Sequence, residues 1–236
     1  MTTHELDLQE LPEMAVISAA PSIMAERDVN SALTTRQRVV KRAFDIVIAS
    51  LILIAILPVM IVIAIAIKLD SDGPIFFKQT RVGEGGRLFR MYKFRSMVVN
   101  AEKLQAQLNV TDIDGNTLHK FRNDPRITRV GRIIRKTSLD ELPQFINVLI
   151  GNMSLVGPRP ELPWIVEQYE PWQRQRFAVP QGITGWWQVT GRADGEKLCH
   201  LNTDQDLYYI ENYSFVLDVK ILLKTPFAII GGKGAF

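Results

Sequence analysis

The sequence has a single cysteine, Cys199, in 236 residues. It therefore closes no internal disulfide and builds no cysteine-rich metal site, and it fits a reducing compartment. Its three histidines, His4, His119 and His200, are scattered without metal-ligand spacing. The N-terminus lacks the basic start and apolar core of a secretory signal. No internal repeat or low-complexity tract is present. The glycine-rich Gly83-Glu84-Gly85-Gly86 has no Lys-Ser/Thr after it and no obvious helix, so it reads as a turn rather than a phosphate-cradling loop. These absences remove disulfide scaffolds, thiolate metal centres and P-loop chemistry from consideration.

What is present begins with an uncharged run of twenty-two residues, Ile46 to Ile67, interrupted only by Ser50 and Pro58. As a helix it measures about 33 Å, enough to cross a bilayer core of about 30 Å. Its flanks are basic on both sides: Arg36, Arg38, Lys41 and Arg42 before, Lys68, Lys78, Arg81, Arg87 and Arg90 after. Charge therefore assigns no orientation and is equally satisfied if both ends stay in the cytoplasm. With Pro58 past the middle, where a lost hydrogen bond bends a helix, the expectation is a re-entrant helix; an ordinary tilted span is the other reading. Before this run the chain is acidic, with six acids against three basic residues in positions 1 to 40, and the remainder carries an excess of six positive charges. The divisions expected are a mobile tail over 1–37, a membrane helix over 38–70 and a catalytic domain over 71–236. Hydrophobic residues make up 47% of the chain, enough for a proper core.

After Gly73-Pro74, two extended runs, Pro74 to Val82 and Arg87 to Met97, flank the glycine-rich turn and predict a hairpin. The second run carries Arg90, Lys93 and Arg95, residues for phosphate, for solvent or for anionic headgroups. A short polar helix over Ala101 to Leu108 and a turn at Asp114-Gly115-Asn116 follow. From Asp124-Pro125, the apolar Ile127, Val130, Ile133 and Ile134 oppose Arg129, Arg132, Arg135 and Lys136, an amphipathic helix for a membrane interface or for the domain surface.

That helix delivers its cations to Ser138-Leu139-Asp140-Glu141-Leu142-Pro143-Gln144. Two local readings are open. Ser138 and Glu141 form an S-x-x-E capping box, which makes Glu141 structural, or Asp140 is the N-cap and Pro143 falls in the first turn. In either case a helix with Leu142, Phe145, Ile146, Leu149 and Ile150 on one face runs to Gly151. Neighbouring helical residues point about 100 degrees apart, so Asp140 and Glu141 suit separate tasks, a nucleophile and a ligand to magnesium, rather than a shared proton. In Gly157-Pro158-Arg159-Pro160, prolines on both sides fix the backbone presenting Arg159, apt for bidentate phosphate binding or for a surface turn. Glu161 to Phe177 predicts one or two helices bearing Trp164, Tyr169 and Trp172. Gly182, Thr184, Gly185 and Gln188 lie in a glycine-punctuated strand or loop, suited to a nucleotide against backbone or to a bulge. Phe215 to Ile230 is apolar but interrupted by Asp218, Lys220, Lys224 and Pro226, so it lies against a membrane or the domain.

Taken together, Lys41-Arg42-Ala43-Phe44-Asp45, Tyr92 to Met97, Ser138 to Gln144, Asn147-Val148-Leu149, Met153 to Pro160 and Gly182-Ile183-Thr184-Gly185 resemble the bacterial sugar transferases, the monotopic polyprenol-phosphate phosphoglycosyl transferases. The resemblance runs from about residue 38 to the end. It implies an α/β fold with a re-entrant helix broken at Pro58, a compact cytoplasmic domain and interface helices, on the cytoplasmic face of the bacterial inner membrane. It implies a UDP-sugar donor, a polyprenol (undecaprenyl) phosphate acceptor and Mg2+. Asp140 is then the nucleophile and Glu141 the metal ligand beside it, with Arg159 on phosphate and Lys93, Arg95 and Arg135 as further anion contacts. Two departures stand out: Leu57 precedes Pro58 where a serine is common, and Pro180 is displaced by Gln181 from Gly182. Without the spanning helices of larger relatives the chain resembles a minimal version. The cations surround an acidic pair, which argues against nucleic acid. A homodimer stays open. The rival from another class is a membrane-anchored scaffold that holds anionic lipid without chemistry.

Overall fold

The computed structural model describes residues 32–101, 104, 124–190 and 203–230. The tail over 1–31, most of the expected 101–108 helix and the turn at 114–116 lie outside the described residues. Helix α1 (Thr35–Asp70) opens on a capping box: the Thr34 hydroxyl accepts from the Gln37 N–H, and the Gln37 side chain accepts from the Thr34 N–H. Leu33 is already buried, so ordered structure starts inside the stretch expected as tail. Pro58 sits within α1 and does not end it. A proline φ is helical, and only the bond to the Ile54 carbonyl is lost, so the apolar helix carries on through it.

At 36 residues α1 is about 54 Å long and is long and apolar enough to cross a membrane. One face is buried throughout: Lys41, Asp45, Ala49, Met60, Ile63 and Ile67 recur at helical spacing, with Leu53 and Ile56 packed between them. The opposite face is bare, with Ile54 71% and Val62 66% exposed. Both flanks of the apolar run are bonded to the folded domain. On the N-terminal side Lys41 pairs with buried Asp218 at 2.7 Å, and Asp45 accepts the Leu155 N–H at 3.0 Å. On the C-terminal side Asp70 accepts the Val130 N–H at 2.9 Å, and Arg95 donates to the carbonyls of Ser71 and Asp72.

The expected hairpin is present. Strands β1 (Phe76–Val82) and β2 (Leu88–Phe94) pair antiparallel from Phe76 opposite Phe94 to Val82 opposite Leu88. The turn between them uses Gly85 at φ +64, open to solvent. Helix α2 (Arg129–Lys136) is capped by Thr128, whose hydroxyl accepts from the Gly131 N–H. It buries Ile134 and leaves Ile133 63% exposed. Helix α3 (Gln144–Leu149) begins later than either capping reading requires. Ser138 takes a left-handed conformation at φ +56 without capping, and Leu139–Glu141 form a tight 3-10 turn. Pro143, which has no N–H to give, holds the N-cap position. Gln144, Asn147 and Val148 are buried on α3; of the expected apolar face, Leu142, Phe145 and Leu149 pack against the cores and Ile150 is 56% exposed.

Strand β3 (Ser154–Val156) leads into the Pro158-Arg159-Pro160 turn, and α4 (Pro163–Val166) with a 3-10 segment (Gln173–Ala178) fills the Glu161–Phe177 region. Strand β4 (Gly182–Thr184) pairs parallel with β3, Ser154 opposite Gly182 and Val156 opposite Thr184. Helices α5 (Trp186–Thr190), α6 (Thr203–Glu211) and α7 (Phe215–Ile230) close the described chain. One core, containing Ala49, Phe89, Met91, Val148, Leu155 and Tyr209, joins α1 to the strands and to α6 and α7. A second, with Met60, Ile63, Ile67, Phe94 and Ile134, packs the far half of α1 on α2. The result is a mixed helix and sheet domain with one long apolar helix laid along it.

Candidate active site

Strand β2 turns its alternate residues Phe89 and Met91 into the core, and Lys93 comes next on that face. A lysine in a core-facing place loses hydration, and burial pulls its pKa below the usual lysine value while the Glu141 carboxylate pulls it back up. Asn147 sets the distance between this strand and the acidic turn. Fully buried on α3, it accepts the Tyr92 N–H at 2.9 Å and donates to the Arg90 carbonyl at 2.8 Å, acting as a substitute partner for the free edge of β2.

Lys93 Nζ donates to Glu141 Oε1 at 2.9 Å. Arg159 forks onto the same carboxylate, Nη1 to Oε2 at 3.2 Å and Nη2 to Oε1. Burial works against ionised Glu141, but Arg159 and Lys93 outweigh it and hold the carboxyl well below the usual glutamate range. Asp140 stands differently. Among the described residues its carboxylate has no hydrogen-bond partner. Burial raises its pKa above the usual aspartate value; Lys93 and Arg135 oppose that shift and the neighbouring Glu141 charge adds to it. One carboxylate is engaged and the other is open.

Arg159 owes its position to a clamped turn. The Gly157 N–H donates to the Thr184 carbonyl at 2.9 Å, and the Gly182 N–H donates to the Pro158 carbonyl at 2.8 Å. A Cβ on Gly182 would lie 2.2 Å from the Gly157 nitrogen, and one on Gly185 2.4 Å from the Gly157 carbonyl oxygen. From the other side Arg81 donates to the Pro160 carbonyl at 3.2 Å. Beneath the turn, Arg176, fully buried, donates to the Arg159 carbonyl at 3.0 Å and to the Tyr169 hydroxyl at 2.6 Å, and pairs with Asp206 at 2.6 Å.

Of the residues singled out in the sequence, the structure brings Asp140, Glu141, Lys93, Arg135 and Arg159 together. It places Arg95 elsewhere, on the carbonyls that follow α1 and on the Ser71 hydroxyl. Gly182 and Gly185 admit another stretch of backbone rather than a ligand. Thr184 is buried on Thr225 at 2.9 Å, and Gln188 donates to the Ile183 carbonyl at 2.9 Å. Gly182 and Thr184 hold the Arg159 turn through their backbone, and Gln188 braces the strand that carries them. Asn147 and Arg176 were missed as functional positions. A polar residue where α3 meets the domain is the signal that marks Asn147; Arg176 offered none.

The donor set suits magnesium. Among the described residues no third His, Cys, Asp or Glu joins the pair. Magnesium is characteristically held by one or two carboxylates, with waters and substrate phosphates completing its octahedron. Asp140 and Glu141 are the residues that would hold it, Glu141 by exchanging Lys93 and Arg159 for the metal.

The profile of the bacterial sugar transferases matches residues 36–232. The chain belongs to the bacterial sugar transferase family. The match takes in α1 from Arg36 onward and every residue of the site. Among its sugar transferase relatives, the UDP-N-acetylgalactosamine-undecaprenyl-phosphate N-acetylgalactosaminephosphotransferase of Aeromonas hydrophila is 46% identical over 200 residues, which cover 83% of this chain and 45% of the relative. The UDP-glucose:undecaprenyl-phosphate glucose-1-phosphate transferase of Escherichia coli K12 is 44% identical over 206 residues, 84% of this chain and 42% of the relative. The exopolysaccharide production protein PSS of Rhizobium leguminosarum bv. phaseoli is 39% identical over 206 residues, covering 83% of this chain and 98% of the relative. The chain thus spans less than half the length of the first two.

Proposed function

We propose that this chain transfers a sugar 1-phosphate from a UDP-sugar to a polyprenol phosphate such as undecaprenyl phosphate, through an aspartyl-linked phosphosugar, and so begins a membrane-bound glycan. The observation that carries the reading is the open Asp140 carboxylate beside a Glu141 held by Lys93 and Arg159. An Asp140 oxygen attacks the phosphorus that bears the sugar, and the bond from that phosphorus to the UMP oxygen breaks. A phosphate oxygen of the polyprenol phosphate then attacks the same phosphorus, the bond to Asp140 breaks, and the carboxylate is regenerated. Lys93 and Arg159 leave Glu141 for the donor diphosphate, where they balance charge on the transferring and departing groups. Bound magnesium, held by Asp140 and Glu141, would supply further neutralisation of that charge.

The membrane geometry fits a lipid acceptor. A single folded domain holds both flanks of α1, at Asp218 and Leu155 on one side and Val130 on the other. That supports a helix that enters and leaves one leaflet; a UDP-sugar donor then puts the site on the cytoplasmic face of the inner membrane. The relatives' names differ in the sugar, N-acetylgalactosamine in one and glucose in the other, and agree on UDP and undecaprenyl phosphate. The donor class carries over from what they share.

The test is intact-protein mass after mixing the detergent-purified chain with magnesium and a panel of UDP-sugars, without acceptor. An added mass of one sugar phosphate, absent from Asp140→Asn and absent when EDTA replaces magnesium, is the expected result. Release of UMP only after polyprenol phosphate is added, with no adduct from any donor, would replace the aspartyl intermediate by direct transfer. No UMP under any condition would favour the scaffold.

A further inference from the structure

A second cationic site lies at the other end of the domain, where α1 begins. A cavity of about 190 Å³ is lined by Arg38, Lys41, Arg42 and Asp45 of α1 and by Glu84 and Arg87 of the hairpin turn. Lys93, Asp140, Glu141 and Arg159 take no part in it. Its charges are unevenly matched. Arg38 is paired with Glu84, and Lys41 is turned to buried Asp218. Arg42 donates only to neutral partners, the carbonyls of Val148 and Leu149, so its charge is uncompensated by any carboxylate in direct contact. Arg87 is exposed, and among the described residues its guanidinium has no hydrogen-bond or ion-pair partner. Asp45 accepts the Leu155 N–H and keeps its own charge, so with Arg38 and Lys41 paired the balance is Arg42 and Arg87 against Asp45. The fixed dipole of the two carbonyls orients Arg42 but leaves its remaining donors toward the cavity unpaired with charge.

Position says what kind of anion arrives here. Ile46, the first residue of the uncharged run, follows Asp45 directly, and Val39, Val40 and Val47 are exposed on the outer face of the same turns of helix. Arg42 lies about 6 Å before Ile46 along the helix, within a headgroup layer of about 5 to 8 Å on each side of a bilayer core, and Arg38 lies about 12 Å before it, at the outer edge of that layer. Cations at that depth meet phosphate before any other anion.

We propose that this cavity binds the phosphate of an anionic lipid headgroup, gripped between Arg87 on the hairpin turn and Arg42 on α1, with Arg38 at its mouth. A headgroup seated there ties the hairpin to the base of α1 and sets the depth at which the domain rests. The chemistry recognised is a phosphate with a small polar substituent. A soluble phosphate offers the same oxygens, and the test separates the two sources.

The full chain in detergent is titrated with dihexanoyl-phosphatidylglycerol below its micelle concentration and, separately, with inorganic phosphate. Binding is followed by isothermal calorimetry. The same titrations are run on Arg87→Gln, Arg87→Glu and Arg159→Gln, each with its melting temperature recorded. Because Arg87 is exposed on a turn, its replacement leaves the melting temperature of the free protein in place. The proposal expects phosphatidylglycerol binding that weakens about fivefold in Arg87→Gln, further in Arg87→Glu, and is unchanged in Arg159→Gln. Phosphate binding with the same dependence on Arg87 makes the free anion the ligand of this cavity; its absence leaves the lipid headgroup. No binding of either probe overturns the proposal. So does binding that is lost in Arg159→Gln and indifferent to Arg87, which would place the anion at the acidic pair instead.

Discussion

Arg159 closes a two-point fork on Glu141, with Nη1 3.2 Å from Oε2 and Nη2 on Oε1. The two residues come from different elements, a turn after β3 and a 3-10 turn before α3, and each is held from behind. Because the fork occupies both oxygens of Glu141, Asp140 is left as the carboxylate of the pair without a hydrogen-bond partner among the described residues. The arrangement divides labour between adjacent acids through their partners rather than through their own chemistry.

Arg159→Lys keeps a positive charge and loses the fork. A lysine is a point charge on a flexible stem, and it cannot reproduce two parallel N–H bonds to a carboxylate or phosphate. We expect kcat/KM for UMP release to fall about 10- to 100-fold, the worth of one or two charge-assisted hydrogen bonds. Membrane partitioning should not change. A loss under twofold would remove Arg159 from the site.

Arg176→Lys should reach the same turn indirectly. The guanidinium spans the Arg159 carbonyl, the Tyr169 hydroxyl and Asp206, and an ammonium has no geometry to serve all three. Turnover should fall about tenfold, with a melting temperature lowered as well, since a buried network is left partly unsatisfied. Arg176→Met should unfold a larger fraction, because it strands the Asp206 charge in the interior.

Two glycine replacements should separate packing from backbone strain. Gly182→Ala drives a methyl to 2.2 Å from the Gly157 nitrogen, and the strands cannot part without releasing the Arg159 turn. A cost of about 3 kcal/mol is expected, with activity lost in the fraction that stays folded. Gly85→Ala meets nothing within 4 Å and costs only its left-handed φ of +64, about 1 kcal/mol. Thermal melts of the two variants check the order; equal losses would contradict it.

Asn147→Ala leaves the Tyr92 N–H and the Arg90 carbonyl buried without partners. The expected cost is about 2 to 4 kcal/mol by denaturant unfolding, taking the penalty for each stranded group. Asn147→Asp retains the acceptor for Tyr92 and sets a carboxylate against the Arg90 carbonyl, so it should recover little of the loss.

Burial and the nearby Glu161 carboxylate push Asp206 up to about 6, although Arg176 stands beside it. Its folded pKa is thus above the ordinary aspartate value of 3.8, and the folded state binds the proton more tightly than the unfolded chain. The stabilisation from that proton is complete below about pH 3.8 and is lost as pH rises through about 6. Subtracting the melting curve of Asp206→Asn from that of the parent, between pH 4 and 7, should show the parent losing ground as pH rises. A flat difference would mean that Arg176 holds Asp206 ionised throughout.

Much was legible in the residues alone. The apolar run from Ile46 to Ile67 declares a helix long and apolar enough to cross a membrane, because twenty-two residues without a turn signal or a charge form one continuous helix. Gly83 to Gly86 declares a hairpin because the turn needs a left-handed residue, and Gly85 supplies it. Asp140, Glu141 and Arg159 stood out because two adjacent acids set among arginines suit a metal and a phosphate. What pattern did not reach is the spatial register of distant elements. The alternation Phe89, Met91, Lys93 was present in the chain, but only the packed domain shows that this face of β2 meets the turn carrying Glu141. Arg95, two residues further on the same run of cations, is carried away to the end of α1. Gly182 and Gly185 looked like room for a ligand, and tertiary structure filled that room with the Gly157 backbone. Local sequence determines periodicity, turns and charge, because these depend on neighbours a few residues apart. Which partner each charge takes was decided by the packing of α1, β2, α3 and β3, because burial makes an unmatched charge expensive and folding alone brings its match.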